Sequence, residues 1–63
     1  MVKVPNNVLR ELELIRISGA VNMLDISAVI RHAERLGLQS AAAWVRGNKP
    51  LYWKGVFDGF EAE

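Results

Sequence analysis

The chain lacks cysteine and has one histidine among its 63 residues. Disulfide bonds are therefore excluded, and a structural zinc site, built from Cys and His ligands, is not expected. No apolar run approaches the roughly 20 residues of a membrane-spanning helix. The net charge of +1 is too balanced to predict nucleic-acid binding from overall electrostatics. The N-terminal residues also lack the apolar segment of a signal peptide, so we expect a protein of the bacterial cytoplasm.

Small size is the second constraint. A domain of about 60 residues buries only about 60% of the surface that its unfolded chain exposes. Chains of this length usually gain stability from disulfides, a metal or association. The first two are not expected, and 51% of the residues are hydrophobic. The composition therefore predicts one domain that assembles as a homodimer or higher oligomer.

Helical periodicity, broken by single glycines, predicts an all-α domain of three or four short helices. We place the helices at 8–18, 26–36, 39–46 and 51–58, in a single domain over 5–60 with flexible ends at 1–4 and 61–63. The last segment has an alternative, because its aromatic and β-branched residues also suit a short hairpin. Gly55 and Gly59 favour the helix there. Asn48 is expected to cap this helix.

Residues 15–25 have the most distinctive sequence, IRISGAVNMLD. Gly19 is predicted to end the first helix in a left-handed conformation, and Asp25 to cap the second. Asn22 is predicted to bond to backbone groups at the corner between them. Arg16, Asn22 and Asp25 are also the polar candidates for ligand contact in this stretch.

The first predicted helix is apolar on two sides. Val8, Leu12 and Ile15 form one stripe, whereas Leu14 and Ile17 point elsewhere. A helix that is apolar on two sides is buried on two sides. Leu14 and Ile17 are therefore the predicted oligomer interface, and replacing either by glutamate is expected to lower the mass of the assembly.

All five aromatic residues lie near the C-terminus: Trp44, Tyr52, Trp53, Phe57 and Phe60. In one interpretation, the helical spacing of Trp53, Phe57 and Phe60 places them in the core. In the other, Tyr52 or Trp53 faces a flat ligand such as a nucleobase, with nearby cations to hold it. The ligand-binding candidates of this region are Arg46, Tyr52, Trp53 and Lys54.

No residue pattern indicates catalysis. His32 can be drawn into a triad with a serine and an aspartate, but no nucleophile motif supports it. A helix-turn-helix after Gly37 would present 41–46, an alanine-rich helix that offers bases little to contact. A phosphate can still bind at a helix N-terminus, and the start of the third helix, near Gln39 and Ser40, carries no acidic residue. We expect neither enzyme activity nor a cofactor or metal.

The stretch Ile15–Asp25, with the following RLGL and a late aromatic-Gly-Phe element, resembles a small uncharacterised family of phage and prophage proteins. It is a domain-of-unknown-function family of gut bacteria and their viruses, and the likeness extends over 9–60. Its most specific part is the Ile-Arg-x-Ser-Gly-x-x-Asn-Met-Leu-Asp pattern. The resemblance implies a mobile-element setting and transfers no functional residue.

In that setting we expect a non-catalytic binding protein. It would act as an anti-defence protein that sequesters a nucleotide-like immune signal or a host protein, by analogy with small phage proteins that work by occupation. The alternative is a small DNA-associated regulator of a phage or mobile element, although nucleic acid and membrane are not expected partners.

Overall fold

The computed structural model describes residues 1–63 as four helices and two short strands. In chain order these elements are β1 (Val2–Val4), α1 (Asn6–Ser18), α2 (Ile26–Arg35), α3 (Gln39–Gly47), α4 (Lys49–Asp58) and β2 (Phe60–Ala62). The prediction of short helices is confirmed, and the segment 51–58 is helical and not a hairpin. The all-α class needs one correction, because the strands pair. No helix combines the length and apolar character that crossing a bilayer requires.

The two ends of the chain form a parallel two-stranded sheet. The sequence predicted flexible ends at 1–4 and 61–63, but Val2 and Val4 are buried and Lys3 between them is exposed. This alternation is typical of a strand with one buried face. Three residues are too few for the pattern to stand out in the sequence, so the pairing escaped prediction.

The core lies where α1 packs against the later helices. The predicted stripe of Val8, Leu12 and Ile15 is buried, as expected. It belongs to a single cluster whose other members are Val2, Val4, Val29, Ile30, Ala33, Ala41, Ala42, Val45 and Tyr52. Small side chains on α2 and α3 let the helix backbones approach closely. This packing holds α1 and α4 in place, and these two helices carry most of the surface described below.

The corner between α1 and α2 follows the sequence prediction. Gly19 is left-handed with φ 66°, and Asp25 Oδ1 accepts a hydrogen bond from the Ala28 amide at 3.1 Å. At α4, in contrast, the predicted cap is wrong. The Asn48 side chain donates to the Trp44 carbonyl at 2.9 Å and makes no side-chain cap of α4. Asn48 thus closes α3, because the two helices are joined without an intervening loop.

Candidate functional site

Two predicted ligand residues, Asn22 and Asp25, serve the backbone. Asn22 Oδ1 accepts from the Leu24 amide at 2.9 Å, which closes a local turn before α2. Asp25 uses a carboxylate oxygen to cap α2. Both side chains are exposed, but the hydrogen bonds that they accept stabilise the local backbone. Their hydrogen bonds in the connection between α1 and α2 are sufficient to explain why Asn22 and Asp25 occur at these positions.

Replacing Asn22 by alanine is expected to lower the free energy of unfolding by about 0.5–1 kcal/mol, since the lost hydrogen bond is exposed to water. Urea unfolding monitored by circular dichroism measures the change. Asp25→Ala is the reference variant, with an expected loss of about 1 kcal/mol for a helix cap. A clearly larger loss in Asn22→Ala than in Asp25→Ala would show that Asn22 does more than hold this turn.

Arg16 and Arg46 both lie on the surface and both form ion pairs. Arg16 Nε is 2.5 Å from Glu13 Oε1 on the same helix. Arg46 pairs with Glu34 and so links α3 to α2. The hydrogen bond with Arg16 lowers the pKa of Glu13, and the same bond raises the pKa of Arg16. An anionic ligand at either arginine must therefore compete with a carboxylate that is already in place.

Tyr52 is a core residue, which corrects its assignment as a ligand-facing ring. Its side chain has no exposed surface, and its hydroxyl donates to the Met23 carbonyl at 2.6 Å. Burial raises the pKa of Tyr52 to about 12. The Phe60 ring lies 5.8 Å from the Tyr52 ring and 6.1 Å from that of Trp44. The aromatic core thus contains Trp44, Tyr52 and Phe60.

The other two aromatic residues are on the surface. Trp53 is 43% exposed and Phe57 is 68% exposed, and their rings meet edge to face at 5.6 Å. With the half-buried Val56 they follow the i, i+3, i+4 spacing of one helix face. We call Trp53, Val56 and Phe57 the aromatic stripe. Lys54, also exposed, follows Trp53 along α4.

A groove of about 280 Å³ opens beside this stripe. Its apolar walls are formed by Met1, Leu9, Leu12, Met23, Val56 and Phe60. The ion pair of Glu13 and Arg16 also lines it, as do Gly55 and Gly59. Val56 belongs to both the stripe and the groove, so the two form one continuous apolar surface. Of the seven sequence-predicted ligand residues, Arg16 lines the groove, Trp53 belongs to the stripe, and Lys54 is exposed at the next position of α4.

The groove was not predicted from the sequence. Its walls come from both ends of the chain and from the middle of α1, so no local pattern marks them. The local signal in the sequence is the helical spacing of Trp53, Val56 and Phe57. Gly55 is the other residue that belongs to this surface, because a side chain at position 55 would collide with Phe60.

The structure also describes two other sites considered from the sequence, the start of α3 and His32. The start of α3 was expected to be free of acid, but Glu11 Oε1 accepts from the Ala41 amide at 2.8 Å. A carboxylate from α1 thus occupies this helix N-terminus, which the sequence left open to a phosphate. His32 Nε2 is 3.4 Å from Ser18 Oγ, but that hydroxyl donates to the Ile15 carbonyl at 2.6 Å. No three His, Cys, Asp or Glu side chains converge in a metal-binding arrangement.

Comparison with known proteins gives one match. Residues 4–59 match the family model described as Domain of unknown function (DUF5049). Searches of curated proteins and of solved structures gave no significant match. The matched segment includes all four helices and the whole of α4 with its aromatic stripe. The chain therefore belongs to the family Domain of unknown function (DUF5049).

Proposed function

We propose that this protein is a non-catalytic binding protein of a phage or prophage, which acts in the bacterial cytoplasm and holds its target at the aromatic stripe and groove. The observation that carries the proposal is the continuity of an exposed aromatic pair with an open apolar groove. Contiguous apolar surface of this kind on a small domain marks an interaction site. Trp53 and Phe57 are not required to fill the core, because Tyr52 and Phe60 already do so.

The proposed target is a nucleotide-like immune signal, with a host protein as the other class of occupant. An exposed Trp53 ring offers a face on which a base can stack. Lys54 supplies a cation beside it, and Arg16 lies on the wall of the adjoining groove. A flat base with an attached phosphate matches this combination of an aromatic ring and cations.

The size of the groove links binding to oligomerisation. Pockets for small molecules usually measure about 300–1,000 Å³, and this groove holds about 280 Å³ in one chain. A single copy therefore encloses only part of a nucleotide. We propose that the complete site includes a second copy, in a homodimer or higher oligomer. Leu14 and Ile17, the interface predicted from the sequence, are 50% and 70% exposed and are the alternative surface for this association.

Calorimetric titration with cyclic and linear purine nucleotides tests the proposal. Trp53→Ala and Lys54→Ala are expected to weaken binding at least tenfold. Lys3→Ala, an exposed cation on β1, is the control and should bind like the wild type. Titration at low and high salt separates the alternatives, since contact with DNA phosphates weakens steeply as salt is added.

The structure gives the DNA-regulator alternative little support. Ala41, Ala42 and Val45 of α3 are buried in the core, and Arg46 is paired with Glu34. If no nucleotide binds and no host protein is retained in a Trp53-dependent manner, the binding proposal fails. Salt-sensitive binding to duplex DNA, unaffected by Trp53→Ala, would establish the alternative in its place.

A further inference from the structure

We propose that the aromatic stripe and groove are a two-fold interface, in which each copy places a stripe ring in the groove of the other copy. The inference rests on the proposed function and names the partner of that same surface, a second copy of this chain. It differs from the sequence-based expectation, which placed the interface at Leu14 and Ile17. The pairing would leave Lys54 and Arg16 at the edge of the seam between copies.

The first argument is self-complementarity. A two-fold interface uses the same patch on both copies, so a projecting group and a matching recess must lie on one surface. Trp53 and Phe57 project from α4, and Val56 between them is also a wall of the groove. Leu14 and Ile17 are exposed but line no recess, because the groove is formed by the other side of α1. Of these two surfaces, the α4 surface is the one that offers both parts.

The second argument is the size and chemistry of the recess. At about 280 Å³ the groove is at the lower end of the range of small-molecule pockets, about 300–1,000 Å³, and it is large enough for one aromatic side chain. Its apolar walls include Met1 and Met23. Methionine adapts its shape to a partner and makes favourable sulfur contacts with aromatic rings. An indole or phenyl ring is therefore an occupant that these walls fit.

The third argument is area. Aromatic side chains bury about 150–250 Å² each, so the exposed parts of Trp53 and Phe57 amount to roughly 200–250 Å² per copy. Counting the groove walls that they cover, two copies bury on the order of 1,000 Å², close to the lower limit of a specific interface. We therefore expect a dimer that forms at micromolar concentration and dissociates on dilution.

The charges around the patch have both signs. Lys54 borders the stripe, and Glu13 lies on the groove wall that α1 supplies. Two-fold pairing places the stripe of one copy over the groove of the other. Because Glu13 is already paired with Arg16 on that wall, Lys54 gains from this register only by sharing the Glu13 carboxylate with Arg16.

Sedimentation of the wild type and four variants tests the interface. Trp53→Glu and Phe57→Glu change the stripe; Leu14→Glu and Ile17→Glu are matched controls at exposed positions of α1. The wild type should pass from the chain mass of 7.1 kDa to twice that value between low micromolar and submillimolar concentration. Both stripe variants should stay monomeric, and both α1 variants should still form the dimer. Circular dichroism should show that all four variants remain folded.

Two results would overturn the inference. One is a wild type that stays at the chain mass throughout the concentration range. The other is an assembly that Leu14→Glu or Ile17→Glu dissociates while the stripe variants leave it intact. Either result leaves target binding at the stripe standing if nucleotide binding still depends on Trp53, although a monomer would remove the proposal that a second copy completes the site. If the dimer behaves as expected but binds no target, the proposed interface is supported and the proposed function fails.

Discussion

Replacing Gly55 by alanine is expected to lower the free energy of unfolding by about 1–3 kcal/mol through overpacking. This is the reverse of the usual effect in a helix interior, where alanine is favoured over glycine by about 1 kcal/mol. A Cβ atom at position 55 would lie 2.2 Å from Phe60 Cε1 and 2.4 Å from Cζ. The ring must shift to admit the Cβ atom, and a shift disturbs its packing against both Trp44 and Tyr52.

Urea unfolding compares this variant with Gly47→Ala. A Cβ at Gly47 meets nothing within 4 Å, so that variant should be as stable as the wild type or slightly more so. The double variant Gly55→Ala/Phe60→Ala provides a further check. Without the ring, the alanine at position 55 should stabilise α4, which gives a coupling between the two sites. Equal stability of Gly55→Ala and Gly47→Ala would show that the contact with Phe60 does not constrain position 55.

The stability of the protein is expected to fall between pH 10 and pH 12 because of Tyr52. Burial raises the pKa of its phenol from 10.0 to about 12. In this window the unfolded chain has lost the phenolic proton while the folded chain keeps it. The unfolded state then binds fewer protons, so stability decreases as pH rises, by at most about 1.4 kcal/mol per pH unit. Below this window the contribution of the buried phenol is fully present.

Tyr52→Phe separates this effect from the titration of lysines, which both proteins share. At neutral pH the variant should lose about 1–3 kcal/mol, because the Met23 carbonyl loses its hydrogen-bond donor. In alkali, its stability should fall less steeply than that of the wild type. Tyr52 is the only tyrosine, so tyrosinate absorbance reports its ionisation directly. A midpoint near 10 in the folded protein would mean that the phenol is exposed to water.

Sequence reasoning predicts the helices well, since their signals are local. The spacing of Val8, Leu12 and Ile15 identifies the buried side of α1, and the three are buried. Gly19 and Asp25 mark a helix end and a helix start, and each has the predicted conformation or hydrogen bond. The apolar character of Leu14 and Ile17 on a second side is likewise visible in the sequence, and both are exposed in the single chain.

What the sequence does not show depends on contacts between distant segments. The strands β1 and β2 each have three residues and pair across the whole length of the chain. Tyr52 and Trp53 are neighbours of similar character, and the choice of which one is buried depends on whether a carbonyl is in reach of the phenol. The Glu11 cap of α3 joins helices that are separated by all of α2. Such partners have no periodicity that a single sequence can reveal.

Nitrogen–proton correlation spectra recorded over a dilution series test most directly whether the α4 surface is where this protein binds. The Trp53 indole signal and the amides of Val56 and Phe57 should shift with concentration, and the shifts should disappear in Phe57→Glu. The Trp53 indole is assigned from its loss in Trp53→Phe, and the amides of Leu14 and Ile17 serve as the internal reference. Shifts confined to the α1 residues, with the α4 signals unchanged at every concentration, would contradict the assignment of α4 as the binding surface.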